Sequence, residues 1–319
     1  DLLKWVIKSL KLMDNFAIFI LTHGRPNSVK TINTLKKCGY TGKVYIVIDD
    51  EDDCRAEYII KYGDKVKVFS KKKISKIFDE ADNFKDRRSI VYARNACFDI
   101  ATDMGIKYFM QLDDDYTRFE QRFDKDLNYI PSTPLVTTLD SYLASLLEFF
   151  KKTNILSIAI AQGGDFIGGS ESGYAKQVML KRKCMNTFIC STDRRFNFMG
   201  RINEDVNTYT SLASQGGLFF TLNQFSVKQA QTQKTKGGMT DIYLENGTYV
   251  KSFYSIIFMP SAVKIGLMGN KKESKRLHHK IKWNNCVPKI IAQEYKKQIQ
   301  WKYNGKRRQF NIMAERWVR

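Results

Sequence analysis

Three adjacent carboxylates follow a short apolar segment, and they are the residues of this chain whose chemistry is easiest to infer. The segment is KYFMQLDDDYTRF, residues 107–119, and the acids are Asp113, Asp114 and Asp115. Carboxylates this close repel one another unless a hard divalent cation or hydrogen-bond donors offset their charge. The motif is therefore compatible with a metal-bound diphosphate, and also with an acidic turn after a strand. The surrounding elements must decide between the two.

The chain alternates between apolar runs typical of buried strands and amphipathic segments typical of helices. Predicted strands cover residues 15–21, 43–48, 66–69, the segment from 107, 155–161, 218–227 and 262–268. Predicted helices cover residues 29–38, 55–62, 89–104 and 137–152, with another after residue 196. This alternation predicts an α/β fold with a mostly parallel, Rossmann-like central sheet flanked by helices.

Three polar clusters each come directly after a predicted strand. They are THGR at residues 22–25, DDEDD at 49–53 and the acidic triplet at 113–115. Parallel strands place their carboxyl ends at one edge of the sheet, where open α/β sheets bind ligands. The clusters are therefore expected to face a common cleft. Residues 166–195 lack clear periodicity, so this segment is expected to cover the cleft or to meet an acceptor, and the alternative is that it lies exposed in solvent.

The chain has 319 residues and a strong positive charge. Lys and Arg total 53 against 33 Asp and Glu, for a net charge of +20, and 43% of the residues are hydrophobic. This hydrophobic content excludes a disordered tail, and the charge favours a polyanionic partner, nucleic acid above all. Attraction to anionic lipid headgroups, or a basic surface that serves solubility, is the alternative.

The cysteine pattern indicates a reducing compartment. The six cysteines form no CxxC pair, and several lie in apolar stretches. Because no apolar run is long enough to span a bilayer and no signal-peptide pattern is present, we expect a cytoplasmic protein, in the host cytoplasm if a phage encodes it. The oligomeric state is not indicated.

Five motifs occur in an order that resembles a known enzyme group. They are THGRP, VIDD, YARNACFDIA, QLDDDY and INEDVNTY, at residues 22–26, 47–50, 92–101, 111–116 and 202–209. The order resembles GT-A nucleotide-sugar glycosyltransferases, and most of all the phage enzymes associated with TET/JBP-type base hydroxylases. The resemblance implies a GT-A domain at residues 1–270, with a donor half at about 14–120 and an acceptor half at about 135–270. A basic C-terminal extension, residues 271–319, is expected to pack on it.

The resemblance also implies a metal site. Asp113 and Asp115 take the place of the paired acids of the DxD motif and would bind Mn²⁺ or Mg²⁺, while Asp114 would hold donors of the surrounding loop. His279, which follows His278, would complete the metal shell. The alternative is that this Lys-rich run is a solvated segment facing a polyanion.

Nucleotide contacts are expected from the same motifs for a donor of the UDP-sugar type. The expected donor-binding residues are Thr22, His23, Gly24, Arg25, Asp49, Asp50, Arg94, Asp113 and Asp114. A guanidinium matches diphosphate oxygens, which favours Arg94 as a phosphate ligand. The alternative for Arg94 is an ion pair with Asp99 on the helix surface.

Glu204 and Asp205 are the candidate catalytic acids. An inverting transfer needs a base that accepts the proton of the acceptor hydroxyl. Adjacent helical residues point about 100° apart, so only one of the two can face the cleft. The resemblance favours Asp205; the alternative is that both acids only stabilise a helix N-terminus.

The sequence therefore predicts a metal-dependent, inverting glycosyltransferase that acts on 5-hydroxymethylpyrimidine bases in DNA. A GT-A enzyme with a polysaccharide or glycolipid acceptor is one alternative. A non-catalytic nucleic-acid-binding protein is another, although it leaves the ordered acidic clusters unexplained.

Overall fold

Most strands of the described chain form a single sheet, and helices pack on both of its faces. The computed structural model describes residues 13–83, 85–229, 250–269 and 276–287. The strands are β1 (Phe16–Leu21), β2 (Lys43–Asp49), β3 (Val66–Phe69), β4 (Tyr108–Asp113), β5 (Tyr116–Gln121), β6 (Ile155–Gln162), β7 (Phe188–Ser191), β8 (Leu218–Gln229), β9 (Val263–Met268) and β10 (Arg276–Ile281). The helices are α1 (Lys30–Lys37), α2 (Arg55–Tyr62), α3 (Lys71–Ile74), α4 (Val91–Asp103), α5 (Leu139–Lys152), α6 (Gly173–Lys176), α7 (Glu204–Ser214) and α8 (Val250–Phe258).

The large sheet has the strand order β3-β2-β1-β4-β7-β6-β8-β5. Strands β1 to β4 pair in parallel, and β6 and β8 run in the same direction. Strands β7 and β5 run against their neighbours. The predicted α/β class, with a mostly parallel central sheet flanked by helices, is confirmed.

Two hydrophobic cores lie on the two faces of this sheet. In β1, Ile18 and Ile20 belong to one core with residues of α1 and α5, while Phe19 and Leu21 belong to the other with residues of α4 and α7. Successive strand residues point to opposite faces, so a strand buried on both sides must be apolar at every position. This requirement explains the unbroken run FAIFIL.

The carboxyl ends of three neighbouring strands lie side by side. Leu21, the last residue of β1, pairs with Asp113 of β4 and with Val47 near the end of β2. The THGR loop, the end of β2 and the acidic triplet therefore leave the sheet at one edge, as the sequence predicts.

Three strands lie outside the predicted elements. Strand β5 begins directly after Asp115 and pairs with β8, so the acidic triplet forms a tight connection between two strands. Strand β7 lies within the segment of poor periodicity, and β10 contains His278 and His279. The basic run that holds the two histidines is therefore a strand at this point.

The predicted division at residue 270 remains a prediction. Strand β10 pairs antiparallel with β9, and thereby joins residues on the two sides of that boundary. Most of the predicted extension lies outside the described residues. All six cysteines are free, and five of them are buried. Within the described ranges, no helix combines the length and the apolar character needed to cross a membrane.

Candidate active site

The middle acid of the triplet holds the loop that follows β1. Asp114 is buried, and its Oδ2 accepts hydrogen bonds from Thr22 Oγ1 at 2.5 Å and from Arg25 Nε at 2.8 Å. The Tyr58 hydroxyl lies 2.8 Å from Thr22 Oγ1 and accepts a hydrogen bond from the Arg25 backbone N–H at 3.0 Å. Asp114 thus fixes the loop that carries His23, Gly24 and Arg25.

The first turn of α1 supports the acidic triplet from the other side. The Thr31 hydroxyl donates to the carbonyl oxygen of Asp113 at 2.6 Å and accepts from the Tyr116 N–H at 3.0 Å. The Thr31 N–H donates to the carbonyl oxygen of Asp114 at 3.1 Å. These bonds satisfy backbone groups of the two-residue turn, Asp114 and Asp115, that joins β4 to β5.

Arg94 of α4 links the acidic triplet to the start of α7. Its Nη2 lies 3.1 Å from Asp113 Oδ1, and its Nε donates to Glu204 Oε1 at 2.8 Å. The side chain is 2% exposed, and its guanidinium carbon lies 4.9 Å from the centre of the Phe188 ring. The two acidic motifs, which are far apart in sequence, therefore share one buried cation.

This position differs from the surface ion pair with Asp99 that was the alternative for Arg94. Asp99 pairs with Arg195 at the surface rather than with Arg94. Nε and Nη2 of Arg94 bond to Glu204 and Asp113, and Nη1 lies 3.5 Å from the carbonyl oxygen of Asn186. Phosphate binding by Arg94 stays a prediction. The structure thus gives Arg94 a buried position between the acidic groups of the site.

The protein offsets the charge of the ionised outer acids of the triplet only in part. Burial raises the pKa of Asp113 to about 7, against the opposing effect of Arg94, and burial also raises the pKa of Asp115. Asp115 Oδ1 is buried and accepts no hydrogen bond from the described residues. A buried carboxylate oxygen without a donor is costly unless a cation binds it, so the residues present fit a divalent ion.

His23 lies in an ion-pair network at the end of β2. Its Nδ1 is 2.8 Å from Asp49 Oδ2, and the buried Lys71 Nζ is 3.0 Å from Asp49 Oδ1. The hydrogen bond to Asp49 raises the pKa of His23. Burial opposes ionisation of Asp49, but the bond to His23 and the charge of Lys71 outweigh it and lower the pKa of Asp49. Asp49 is thus occupied by protein partners, whereas Asp50 is exposed and bonded through Oδ1 to the Lys71 N–H.

The same network contains the tightest cluster of potential metal ligands in the described chain. Ligand atoms of His23, Asp49 and Asp52 all lie within 4.8 Å of one another. However, Lys71 already pairs with Asp49, and the backbone N–H groups of Gly24 and Cys54 each donate to Asp52 at 2.8 Å. We therefore interpret this cluster as an ion-pair network that shapes the loop after β1.

Glu204 and Asp205 occupy the first turn of α7, and both are buried. Glu204 bonds to Arg94, whereas Asp205 Oδ1 accepts only from the adjacent Val206 N–H at 2.7 Å. Burial and the charge of Glu204 raise the pKa of Asp205, against the opposing effects of Val206, Arg94 and Lys183. Asp205 Oδ2 accepts no hydrogen bond from the described residues, which leaves it able to accept a proton.

His279 lies beside the start of α7. Its Nδ1 is 3.4 Å from Asn203 Nδ2, and Asn203 immediately precedes Glu204. Burial, with the charges of His278 and Lys251, lowers the pKa of His279 to about 4, so the ring is neutral at neutral pH. Asp113, Asp115 and His279 do not form a group as tight as the cluster around His23. Ligation of a metal by His279 thus remains a prediction.

A cavity of about 780 Å³ lies elsewhere, between α1 and α2 at the amino end of β2. Its lining includes Lys36, Tyr40, Lys43, Lys61, Tyr62 and Lys65. None of the predicted site residues lines it. The chemistry of the carboxylates, and not the size of a cavity, identifies the candidate active site.

A family model matches the chain over residues 16–238, a range that contains all of these groups except His279. The family is described as TET-Associated Glycosyltransferase. This chain belongs to that family. It is therefore a glycosyltransferase, and the predicted family resemblance is confirmed. A comparison with curated proteins finds no match.

Solved structures with a similar fold have very different sequences. Glucosyl-3-phosphoglycerate synthase from Mycobacterium tuberculosis, in complex with Mg²⁺ and UDP, is 8% identical with a TM-score of 0.45, and the match covers 86% of this chain and 91% of that chain. TarS from S. aureus is 14% identical with a TM-score of 0.40, and the match covers 75% of this chain and 39% of that chain. Similarities this distant carry no argument about function, which depends on the family and on the geometry of the site.

Several residues that build the site of this glycosyltransferase lie outside the site residues predicted from the sequence. They are Thr31, Asp52, Tyr58, Lys71 and Gln229. Of these, only Asp52 lies within a motif noted in the sequence, DDEDD at residues 49–53. Lys71 carried a weak signal, because it is the first lysine after β3, whose carboxyl end lies beside that of β2. The others occur in segments that read as ordinary helix or strand.

Proposed function

We propose that this glycosyltransferase moves a sugar from a UDP-sugar to 5-hydroxymethylpyrimidine bases in DNA, with a divalent ion at the acidic triplet. The observation that carries the proposal is the position of Arg94 between Asp113 and Glu204. This link brings a motif suited to a metal-bound diphosphate next to a motif suited to proton transfer. A metal-dependent, inverting transfer of a sugar to a hydroxyl needs both at one site.

The loop after β1 supplies the donor side of the site. His23 and Arg25 flank Gly24, which has a φ of +67° that favours glycine. His23 is partly exposed, and its raised pKa favours the cationic form. Arg25 is fixed by Asp114 through Nε, so its terminal nitrogens can donate to phosphate oxygens. Two cations held in this way suit a nucleoside diphosphate, and the exposed Asp50 suits a donor N–H on its base.

The metal would be held by Asp115, with Asp113 beside it. Asp115 Oδ1 is the buried oxygen without a hydrogen-bond donor, and the pKa of Asp113 is raised by burial and by the neighbouring acids. A divalent ion bound here supplies neutralisation of the departing diphosphate as a Lewis acid. Arg94 bonds to Asp113, and the Gln229 side chain favours the ionised form of Asp115 and so lowers its pKa against the larger effect of burial.

On the acceptor side, the transfer needs a hydroxyl and a base that takes its proton. The hydroxymethyl oxygen forms a bond to the anomeric carbon as the bond from that carbon to the diphosphate oxygen breaks. The hydroxyl proton passes to Asp205 Oδ2, and UDP leaves. Attack from the face opposite the diphosphate inverts the anomeric configuration.

The acceptor is inferred from family membership and charge. The family name associates these enzymes with TET proteins, and the resemblance noted in the sequence is to enzymes that act on hydroxymethylated bases. The net charge of +20 suits a polyanionic acceptor. The hydroxymethyl group of such a base projects into the major groove, where an enzyme can reach it without unstacking the duplex.

The test is a transfer assay that distinguishes acceptor classes. The protein is incubated with Mn²⁺, a panel of nucleotide sugars, and DNA that contains 5-hydroxymethylcytosine, 5-hydroxymethyluracil or neither. Mass spectrometry of the digested DNA should show a hexose-sized addition on a hydroxymethylated base only. The Asp115→Ala variant is the inactive control.

Two outcomes contradict the proposal. Transfer to a polysaccharide or glycolipid acceptor, with none to either modified DNA, would reject the acceptor but keep the enzyme class. An absence of donor and metal binding in calorimetry would reject the site itself.

A further inference from the structure

A basic tripeptide lies at the same edge of the sheet as the acidic triplet. Residues 163–187 connect the end of β6 to the start of β7. Because β7 runs antiparallel to both β4 and β6, the two ends of this connection lie at the edge where β4 ends. The connection contains Lys181, Arg182 and Lys183 in succession.

A buried carboxylate fixes this tripeptide. Asp165 has a side chain that is 2% exposed, accepts from the Gln162 N–H at 2.8 Å and pairs with the Arg182 guanidinium. Lys183 Nζ lies 3.4 Å from the same carboxylate, and Arg182 stacks over Tyr174 at 4.9 Å. One acid thus opposes two cations, and Lys181 adds a third at the surface. The tripeptide keeps a net positive charge in a defined position.

The connection reaches the buried groups of the site: the carbonyl oxygen of Asn186 lies 3.5 Å from Nη1 of Arg94, which links Asp113 to Glu204. Lys183 is close enough to Asp205 to lower its pKa against the larger effect of burial. Three residues later, the Asn186 side chain donates to Gln229 Oε1 at 3.0 Å, and Gln229 in turn lowers the pKa of Asp115 against the larger effect of burial. The basic tripeptide therefore lies beside the point where the acceptor hydroxyl must enter.

We propose that Lys181, Arg182 and Lys183 bind phosphate groups of the acceptor DNA on either side of the target base. This inference rests on the proposed function and adds the surface that holds the acceptor. Arg182 suits bidentate contact with a phosphate, and the lysines add charge that binds any sequence. Val178 and Leu180, each 49% exposed, offer apolar contacts to deoxyribose in the same segment.

The test measures DNA binding rather than turnover. Fluorescence anisotropy at several salt concentrations gives the affinity for a duplex without hydroxymethyl groups, for the wild type and for Lys181→Ala, Lys183→Ala and the double variant. Each lost phosphate contact should reduce the slope of log affinity against log salt by about 0.9 and weaken binding several-fold. The KM for the nucleotide sugar should not change.

Lys152→Ala is the matched control. Lys152 ends α5 shortly before β6 begins, at the opposite edge of the sheet, and its side chain is 69% exposed. Its substitution removes the same charge and should leave the slope within about 0.3 of the wild-type value, well below the change for one contact.

The outcomes separate this inference from the proposed function. An unchanged slope in the double variant, or no binding of duplex DNA by the wild type, overturns the inference. A raised KM for the donor with unchanged DNA binding also overturns it, because the tripeptide would then contact the donor diphosphate. The double variant could show a reduced slope while the wild type transfers no sugar to hydroxymethylated DNA. This result would support the DNA-binding surface and reject the proposed function.

Discussion

Arg94 donates a hydrogen bond from Nε to Oε1 of Glu204 at 2.8 Å, in a part of the protein where both side chains are buried. The same guanidinium lies 3.1 Å from Asp113 through Nη2. Helix α4 thus carries a cation that fixes the spacing between the acidic triplet and the start of α7. The geometry of the site depends on this cation.

Replacement of Arg94 should therefore affect stability as well as activity. Arg94→Ala leaves Glu204 and Asp113 without their buried counter-charge, and loss of one partner in such a network costs about 3–5 kcal/mol. Urea denaturation followed by circular dichroism measures the free energy of unfolding. Arg195→Ala is the control, since Arg195 and Asp99 are 40% and 48% exposed and their pair contributes less than about 1 kcal/mol. Equal losses in the two variants would contradict the role of Arg94.

The sequence predicts the fold well where its elements have a single strong pattern. The runs at β1, β2 and β6 are apolar at nearly every position because both faces are buried, and a polar cluster or a glycine ends each one. Strand β5 was missed because it follows Asp115 with no glycine or proline to mark a turn. Strand β7 has only four residues, and β10 is rich in charged residues because it belongs to a two-stranded sheet.

The sequence predicts which motifs meet at the site, but not how their side chains pair. Strand direction places the THGR loop and the acidic triplet at the same edge of the sheet, and the pairing of β1 with β4 makes them neighbours. Which carboxylate meets which cation depends on side-chain geometry across the cleft. Lys71 forms an ion pair with Asp49, and Arg94 forms ion pairs with Asp113 and Glu204. The position of Arg94 in α4 does not by itself predict these partners.

Substitutions of Asp115 and of Asp114 should have different effects, the first on metal binding and turnover and the second on stability. Asp115→Ala should abolish turnover and weaken Mn²⁺ binding, because Asp115 Oδ1 has no donor from the described chain. Asp114→Asn should instead lower stability, because Asp114 holds Thr22 and Arg25. Calorimetric titration with Mn²⁺ and thermal unfolding measure the two effects. A normal Mn²⁺ affinity in Asp115→Ala would rule out that residue as a ligand.

Asp205 should contribute to chemistry and not to donor binding. Asp205→Asn removes a general base, which typically lowers kcat by about 10²- to 10⁴-fold, while the dissociation constant of the nucleotide sugar should stay the same. Glu204→Gln is the comparison, and should lower stability because the Arg94 ion pair is lost. Full activity in Asp205→Asn would remove this residue from the mechanism.

The pH dependence of kcat provides a second measurement on the same group. A base must be deprotonated, and burial with the charge of Glu204 raises the pKa of Asp205. The rate at saturating donor and Mn²⁺ should therefore rise with pH through a midpoint above the value of about 3.9 for an ordinary aspartate. A rate that is flat across the neutral range down to about pH 5 would contradict this assignment.

His279 can be tested against the histidine beside it. Its pKa is lowered to about 4 by burial and neighbouring charge, so its ring can bind a metal at neutral pH without releasing a proton. If it is a ligand, His279→Gln should raise the Mn²⁺ concentration for half-maximal activity by at least about tenfold. His278→Gln is the matched control and should change this concentration little. Equal Mn²⁺ requirements in both variants would exclude His279 from the metal shell.

His23 should stabilise the protein only while it is protonated. Its pKa is raised in the folded state by the hydrogen bond to Asp49, so the folded protein holds this proton more tightly than the unfolded chain does. The stabilisation by His23 is complete below the pKa of about 6.5 that His23 has in the unfolded chain. It disappears as the pH rises through the pKa of His23 in the folded protein. Asp49 stays ionised throughout this window, because its own pKa is lowered.

The measurement is the difference in Tm between wild type and His23→Gln, from about pH 5 to about pH 9. The wild type should unfold at a higher temperature at the acidic end, and the two curves should converge at the alkaline end. The same series in an Asp49→Asn background should show little dependence on His23, because the partner that raises its pKa is gone. A Tm difference that stays constant across the range would mean that His23 acts by packing and not through its charge.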